Sequence, residues 1–516
     1  MKSENTVGAR VAVVGSGYVG TVVGSCLAAL GRQVVGVETD GRKLAMLQGG
    51  QLPFYEPGLE PLLGAGLAEG RLRFTSDIVD VMTACDVVFL CVGTPPNGDG
   101  KPDMGAFVGA ARDIGASLRR HHDLVIKSTV PIGSGHWMMS ILEDTLPTEL
   151  AETAGFSVVS CPEFLREGCA VTDFLHPDRL VFGSSDQRAI DRVTEVYRPI
   201  LDQSFAGGDP FRRPTLVRTT LETAEMVKYA SNAFLATKIS FINEIANICE
   251  LTGADVADVA RVIGLDPRIG PDYLAAGIGW GGSCFGKDLS ALVTAAAEYR
   301  YRPHLLEATI AVNKRQRRWV VDKLRNHLKT LPGKRVAILG LAFKAGTDDL
   351  RDAPALDVAT WLLASGASVS GYDPLVRTVP GVPGLRLADN VYAAAARADA
   401  LVVLTVWPEY RALDLVALRE GMRGNLIVDG RNLLDPAAVT RAGFVYKGVG
   451  RVVPSDDLLG CGHTEVLSHN GNGVRSRLNE VRVVRLPHDN GQVNGHDPGA
   501  GRHADAVPLA DRGGLS

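Results

Sequence analysis

Apolar residues along this chain follow two rhythms. Short β-branched runs, bounded by glycine or polar residues, alternate with longer stretches of helical period. The alternation fills the N-terminal part of the chain and restarts near Lys334. Val11-Ala12-Val13-Val14 predicts a first strand. It runs into Gly15-Ser16-Gly17-Tyr18-Val19-Gly20, then an apolar helix ending near Gly31, then a strand from Gln33 to Val37 that stops at Glu38. Further strands are expected from Asp86 to Val92, Leu124 to Lys127, Ser157 to Ser160 and Leu180 to Gly183. Such alternation predicts an α/β fold with a doubly wound parallel sheet, whose ligands bind outside the carboxyl ends of the strands.

The middle of the chain is helical. Thr219 to Leu251 contains no proline or glycine and carries apolar residues at helical spacing. Thr219 with Glu222 has the form of a capping box. A helix of this length spans on the order of 45 Å, enough to join two domains. A second long helix is expected from Pro303 to Lys329. Its basic residues Lys314, Arg315, Arg317 and Arg318 read as a solvated face or an interdomain bridge. Lys334-Arg335-Val336-Ala337-Ile338-Leu339-Gly340 then restarts a strand–turn–helix, with a helix from about Ala355 to Ala364 and a strand ending at Tyr372-Asp373. Later strands, Leu401 to Val406 and Leu426 to Val428, lead to Asp429-Gly430-Arg431-Asn432. The expected organisation is a Rossmann-like domain over 1–205, a helical domain over 206–330 and a second Rossmann-like domain over 331–455. The Gly-, Asn-, His- and Asp-rich residues 456–516 read as a disordered tail.

Composition narrows the function. A net charge of −4 gives no sign of nucleic-acid binding. The short polar N-terminus does not read as a signal peptide, and no apolar run is long enough for a membrane span. Eight cysteines without paired spacing fit free thiols in a reducing cytoplasm, and no Cys/His cluster has metal-site spacing. Cys26, Cys85, Cys91 and Cys249 sit in apolar patterns and read as core.

The chemistry concentrates in a few motifs. The first glycine turn follows a strand, opens a helix and has Glu38 eighteen residues past Gly20. That context makes it a dinucleotide cradle, with the carboxylate placed for ribose hydroxyls and against a 2′-phosphate, although Lys43 lies just beyond. NAD is therefore the expected cofactor. Gly340-Leu341-Ala342-Phe343-Lys344 lacks the glycine pattern, so the second sheet is not expected to hold a second dinucleotide. Polar residues punctuate the strand ends: Thr94, Thr129, and the run Pro162-Glu163-Phe164-Leu165-Arg166-Glu167. Glu163 and Glu167, four apart, are expected on one face of a helical turn. Lys228 and Asn232 face one way on the long helix and read as a surface pair or as oxyanion stabilisers.

Gly279-Trp280-Gly281-Gly282-Ser283-Cys284-Phe285-Gly286-Lys287-Asp288 sets one cysteine among glycines, ahead of a helix expected to begin at Leu289. The helix dipole and Lys287 would favour thiolate, and Asp288 offers a carboxylate. These are the requirements of a nucleophilic cysteine.

In order and spacing, the glycine turn, Ser128-Thr129-Val130, Pro162 to Glu167, Lys228 with Asn232, the cysteine loop and Phe343-Lys344 together resemble the nucleotide-sugar 6-dehydrogenase family. The match covers about residues 8–450. Asp173-Phe174-Leu175-His176-Pro177-Asp178-Arg179 is similar to the family's UDP-glucose branch. The resemblance implies a four-electron, NAD-dependent oxidation of UDP-glucose through a thiohemiacetal and a thioester on Cys284. Lys228, Asp288, Asn232, Thr129 and Glu163 would be its catalytic residues. It places Gly15, Gly17, Tyr18, Val19, Gly20, Glu38, Lys43, Thr94, Thr129, Glu167 and Arg351 on the cofactor side. On the substrate side it places Glu163, Phe164, Leu165, Glu167, Lys228, Asn232, Arg268, Tyr273, Gly281, Phe343, Lys344 and Arg431. Arg268 would reach a neighbouring subunit's site, which implies a homodimer. The alternatives are oxidation of GDP-mannose or a UDP-N-acetylhexosamine, a single-step alcohol or hydroxy-acid dehydrogenase, and a non-enzymatic nucleotide-sugar sensor.

Overall fold

A computed structural model describes residues 10–97 and 100–452. The expected tail, 456–516, lies outside the described residues. The strands are β1 Arg10–Val14, β2 Gln33–Val37, β3 Leu72–Thr75, β4 Val87–Leu90, β5 His122–Ile126, β6 Phe156–Ser160, β7 Arg179–Gly183 and β8 Thr215–Thr219, then β9 Arg335–Leu339, β10 Ser368–Tyr372, β11 Arg386–Leu387, β12 Ala400–Val403, β13 Leu426–Asp429 and β14 Val445–Gly448. They form an eight-stranded sheet in the order β3-β2-β1-β4-β5-β6-β7-β8 and a six-stranded sheet in the order β11-β10-β9-β12-β13-β14. Pairing is parallel except between β6 and β7. The order reverses beside β1 and beside β9, so both sheets are doubly wound with a crevice at the carboxyl ends of those strands. β8 extends the first sheet beyond residue 205.

The strands that the pattern misses, β3, β8, β11 and β14, are the four sheet edges. The burial of β8 shows why: none of its residues is fully buried. Central strands are buried on both faces and so read as continuous apolar runs; an edge strand need not be.

The helices that carry the site are α1 Tyr18–Ala29, α2 Gly41–Gln48, α3 Ser134–Thr145, α4 Leu221–Thr252, α5 Val256–Gly264, α6 Phe285–Glu298, α7 His304–Leu328 and α8 Pro354–Ala364. α4 runs 32 residues and begins one residue later than the capping-box pattern suggests. Thr220, not Thr219, is its N-cap, and the Thr220 hydroxyl accepts from the Thr223 amide. One face of α4 packs against the first sheet through Leu221 and Ala224, and further along through Ile242, Ala246 and Cys249 into the core of the second. It thus holds both sheets, as its length predicts. No described helix is long and apolar enough to cross a membrane. The seven cysteines among the described residues are free, and Cys26, Cys85, Cys91 and Cys249 are buried.

The basic run on α7 divides in two. Lys314, Arg315 and Arg318 are exposed. Arg317 is buried and is the interdomain bridge: its guanidinium donates to Asp352 at 2.6 and 2.8 Å, to Asp357 at 2.7 Å and to the Trp280 carbonyl at 2.8 Å.

The second sheet resembles the first in topology but closes its own crevice. At the turn after β9, the Leu341 and Ala342 amides point at the buried Asp373 carboxylate, at 2.9 and 3.2 Å. An internal anion occupies the amides where a dinucleotide fold would place its pyrophosphate.

Candidate active site

The first glycine turn has the form a dinucleotide requires. Gly15 has φ +94°, and a Cβ there would lie 2.9 Å from Val92 backbone atoms. A Cβ on Gly20 would meet the Gly15 carbonyl at 1.9 Å, so only glycine lets α1 pack on β1. Nothing lies within 4 Å of a Cβ on Gly17, the N-cap of α1, so this face is open to a phosphate. Glu38 sits at the end of β2 and accepts from the Asp40 amide at 2.9 Å. Tyr18 donates to Glu56, which also accepts from the Gly168 and Ala170 amides at 2.6 and 2.7 Å. The cradle is thereby tied to the loop after β6. Thr94 donates to the Thr129 carbonyl at 2.7 Å and joins the ends of β4 and β5. Lys43 is exposed on α2 and makes no side-chain contact with this cradle.

The cysteine loop is held by its backbone. Asn313 accepts from the Trp280 amide at 2.8 Å and donates to its carbonyl at 3.0 Å. Arg317 donates to the same carbonyl, and Arg431 donates to the Gly279 carbonyl at 3.2 Å. The Trp280 indole donates to Ser240 at 3.1 Å. On the other side the loop lies against the second sheet's domain. A Cβ on Gly281 would stand 2.2 Å from the Asp352 carbonyl, and one on Gly282, whose φ is +87°, would stand 2.7 Å from the Phe343 ring. Cys284 is the N-cap of α6, which begins at Phe285 rather than Leu289. Gly286, Lys287 and Asp288 therefore form the first helical turn.

Around this loop the charged residues converge. Lys228 is 4% exposed, with its ammonium 3.6 Å from Glu163 and 5.7 Å from the Phe164 ring. It is therefore not half of a surface pair. Asn232 donates to Asp288 at 2.6 Å. Glu163 and Glu167 lie on an irregular loop and not on a helical turn. They flank the cysteine from two sides. Glu163 faces Lys228 and accepts from the Leu165 amide at 2.5 Å, and Glu167 accepts from Ser283 at 3.0 Å. The Ser283 hydroxyl lies 3.5 Å from the Cys284 sulfur. Arg351, held by Asp349, reaches Glu167 at 3.2 Å.

Burial pushes the Cys284 thiol up, and the Lys228 charge and the Ser283 hydrogen bond only partly offset it. This direction is opposite to the lowering expected from its helix position. Lys287 pairs with Asp288 at 2.9 Å, and the Lys228 charge acts on the sulfur. Burial pushes Lys228 down, but the charges of Glu163, Cys284 and Asp288 outweigh it and the net direction is up. Arg431 is pushed down to about 10 by burial and then by the Arg317 charge. Its side chain donates to the Leu404 carbonyl at 2.8 Å and to the Gly279 carbonyl at 3.2 Å. Lys344, also pushed down by burial, lies over the Phe343 ring at 5.6 Å.

The Glu167 carboxyl is pushed up to about 7, first by burial and then by the Asp349 charge. Between its unfolded range and this value the native state holds a proton that the unfolded chain releases. Stability contributed here is present at low pH and lost as pH rises toward 7. Glu167→Gln should flatten that decline. Melting curves from about pH 5 to pH 7.5 should show wild type losing on the order of 2 kcal/mol more than the variant. Parallel curves would remove Glu167 as the titrating group.

Arg268 is not brought to the site within one chain. Its side chain is 88% exposed and pairs with Asp266, two residues away. Tyr273 is partly buried, its ring 6.5 Å from that of Phe285. Sequence pattern assigned no role to Ser283, Asp349 or Asn313, although Ser283 stands inside the cysteine loop; Arg317 was marked only within the basic run on α7.

Two doubly wound sheets joined by one long helix, with an open dinucleotide cradle on the first and a cysteine at their junction, define a dinucleotide-dependent dehydrogenase. Domain profiles of the UDP-glucose/GDP-mannose dehydrogenase family match in chain order: the NAD binding domain over residues 9–201, the central domain over 222–315 and the UDP binding domain over 337–436. The chain belongs to this family. It is 46% identical to the UDP-glucose 6-dehydrogenase of Rhizobium meliloti over 449 residues, which cover 86% of this chain and 99% of that protein. It is 42% identical to UDP-glucose 6-dehydrogenase TuaD of Bacillus subtilis, over 86% and 93% of the two chains. Among solved structures, a UDP-glucose dehydrogenase from Pyrobaculum islandicum is 36% identical and superposes with a TM-score of 0.78, covering 88% of this chain and all of that one.

Proposed function

We propose that the protein oxidises UDP-glucose to UDP-glucuronate in two hydride transfers to NAD, through a thiohemiacetal and a thioester on Cys284. The reading rests on the convergence of Cys284, Lys228 and the Asn232–Asp288 pair beside the carboxyl edge of the first sheet. Its relatives in Rhizobium meliloti and Bacillus subtilis are named UDP-glucose 6-dehydrogenases, which supports the substrate. NAD supplies the hydride acceptor at each oxidation, and Glu38 favours it over the 2′-phosphorylated form. Lys228 and Asn232 hold the sugar's C6 oxygen as its proton passes through water to Asp288 and C6 gives up a hydride, leaving an aldehyde. The Cys284 sulfur then bonds to C6 as its proton passes to water, and the carbonyl electron pair moves to that oxygen, again held by Lys228. Loss of the second hydride leaves a thioester. Water positioned by Thr129 adds to it, with Glu163 or Asp288 taking its proton. The carbon–sulfur bond breaks and the sulfur leaves with the electron pair. Arg431, Lys344 and Phe343 hold the uridine diphosphate end.

The decisive measurement is stoichiometry. Two NADH should form for each UDP-glucose consumed, with one water incorporated. One NADH with release of free aldehyde would overturn the thioester route. Initial rates with GDP-mannose and UDP-N-acetylhexosamines separate the remaining family substrates.

The working unit is a homodimer formed through α4 and α5. Phe234, Phe241 and Ile248 recur every seventh residue on α4 and are 66%, 50% and 49% exposed; Val262 and Leu265 continue the apolar surface. Arg268 follows directly and would complete the neighbouring chain's site.

A further inference from the structure

A second carboxylate on α4, three residues before Lys228, takes no part in the chemistry above. Glu225 is 3% exposed. One of its oxygens accepts from the Gly133 amide at 2.6 Å and the other from the Gly135 amide at 2.8 Å. Gly133 is the N-cap of α3, with φ +92° and no cap of its own. The first turn of a helix leaves amides without partners at its positive end, and a side chain normally satisfies them. Here a side chain from a different helix does so, 92 and 90 residues along the chain from the two amides.

What this contact holds is specific. The turn that leads into α3 is Ser128-Thr129-Val130-Pro131-Ile132, and it carries Thr129. The helix that bears Glu225 also carries Lys228 and Asn232. A cavity of about 10 Å³ lies between them, lined by Ser128, Thr129, Ser160, Glu225 and Lys228. That is about the space of one water, and the wall offers several polar partners for it. The two amide bonds therefore set the separation of Thr129 from Lys228 across a gap one water wide. An interface between two separately built segments has no covalent reason to keep that distance.

We infer that Glu225 is a positioning residue for this reaction: by capping α3 from α4 it registers Thr129 against Lys228. The inference rests on the roles given above to Thr129 and Lys228. Glu225→Gln keeps the shape and one acceptor oxygen but presents an amide to the second N–H. Displacing a positioned group by about 1 Å costs on the order of 100-fold in rate. Glu225→Gln should lower kcat about 10- to 100-fold, with the KM for UDP-glucose and the dinucleotide affinity within about threefold of wild type.

The double mutant decides the mechanism. In a Thr129→Ala background, Glu225→Gln should cost less than about twofold more, because the group it positions is gone. Full additivity, or an unchanged kcat in the single variant, would overturn the inference. Should Glu225→Gln fail to fold, Glu225→Asp keeps the charge, falls short of the two amides and carries the same cycle. Wild-type turnover is measured beside it. Absence of UDP-glucose oxidation in the wild type sinks the reaction itself, whereas two NADH per sugar with an additive cycle sinks only the role of Glu225.

Discussion

Cys284→Ala should bind the dinucleotide as wild type does and form no UDP-glucuronate. The Cys284 sulfur lies near the Ser283 hydroxyl; of the charges that act on it, Lys228 favours its ionised form and Asp288 and Glu163 oppose it. Removing it leaves no donor or acceptor buried without a partner, so the fold should hold. The cradle at Gly15 to Gly20 lies on another segment and should keep its affinity. Without a nucleophile no thioester forms, and the aldehyde could reach the acid only as a hydrate that gives its hydride to the dinucleotide, a species that nothing in the site holds. Loss of an enzyme's nucleophile commonly costs on the order of 10⁶-fold in turnover, so acid formation should fall by at least about 10³-fold. NADH release and product analysis check this. Unchanged turnover would identify a single-step dehydrogenase instead.

Lys228→Met should be nearly as damaging, for a different reason. Methionine matches the length of the apolar stem, so packing against Phe164 survives. The charge does not. The C6 oxygen carries negative charge twice in the proposed cycle, and removing one preorganised donor from such a site costs about 10²- to 10³-fold in kcat. The thiol loses the Lys228 charge that pulls it down and stays protonated to higher pH. Glu163, 7% exposed, is left buried without its counter-charge. Removing one partner of a buried pair typically costs about 3–5 kcal/mol. The variant should therefore melt earlier, turn over slowly and show its remaining rate rising toward alkaline pH. A rate within tenfold of wild type would remove Lys228 from the chemistry.

Much of this was legible in the primary structure because it depends on neighbours in the chain. The period of apolar residues determined the central strands of both sheets and the two long helices. The glycine turn with Glu38, the Lys228–Asn232 spacing and the cysteine loop were visible as local patterns. The four edge strands were not, since partial exposure removes the apolar run that marks a strand. The turn from Glu163 to Glu167 was misread as helical for a related reason. Its carboxylates are held by Lys228 and Ser283, contacts that local spacing does not encode.

The chain alone determined which groups are present and on which local elements they ride. Only the tertiary structure decided what each one faces. It placed Lys228 rather than Lys287 beside the thiol and raised the thiol instead of lowering it. It also filled the second sheet's amide turn with Asp373 and gave Arg317 to the junction of the two domains. Each outcome turns on burial and on charges from distant segments, and those energies exist only once the segments are packed together.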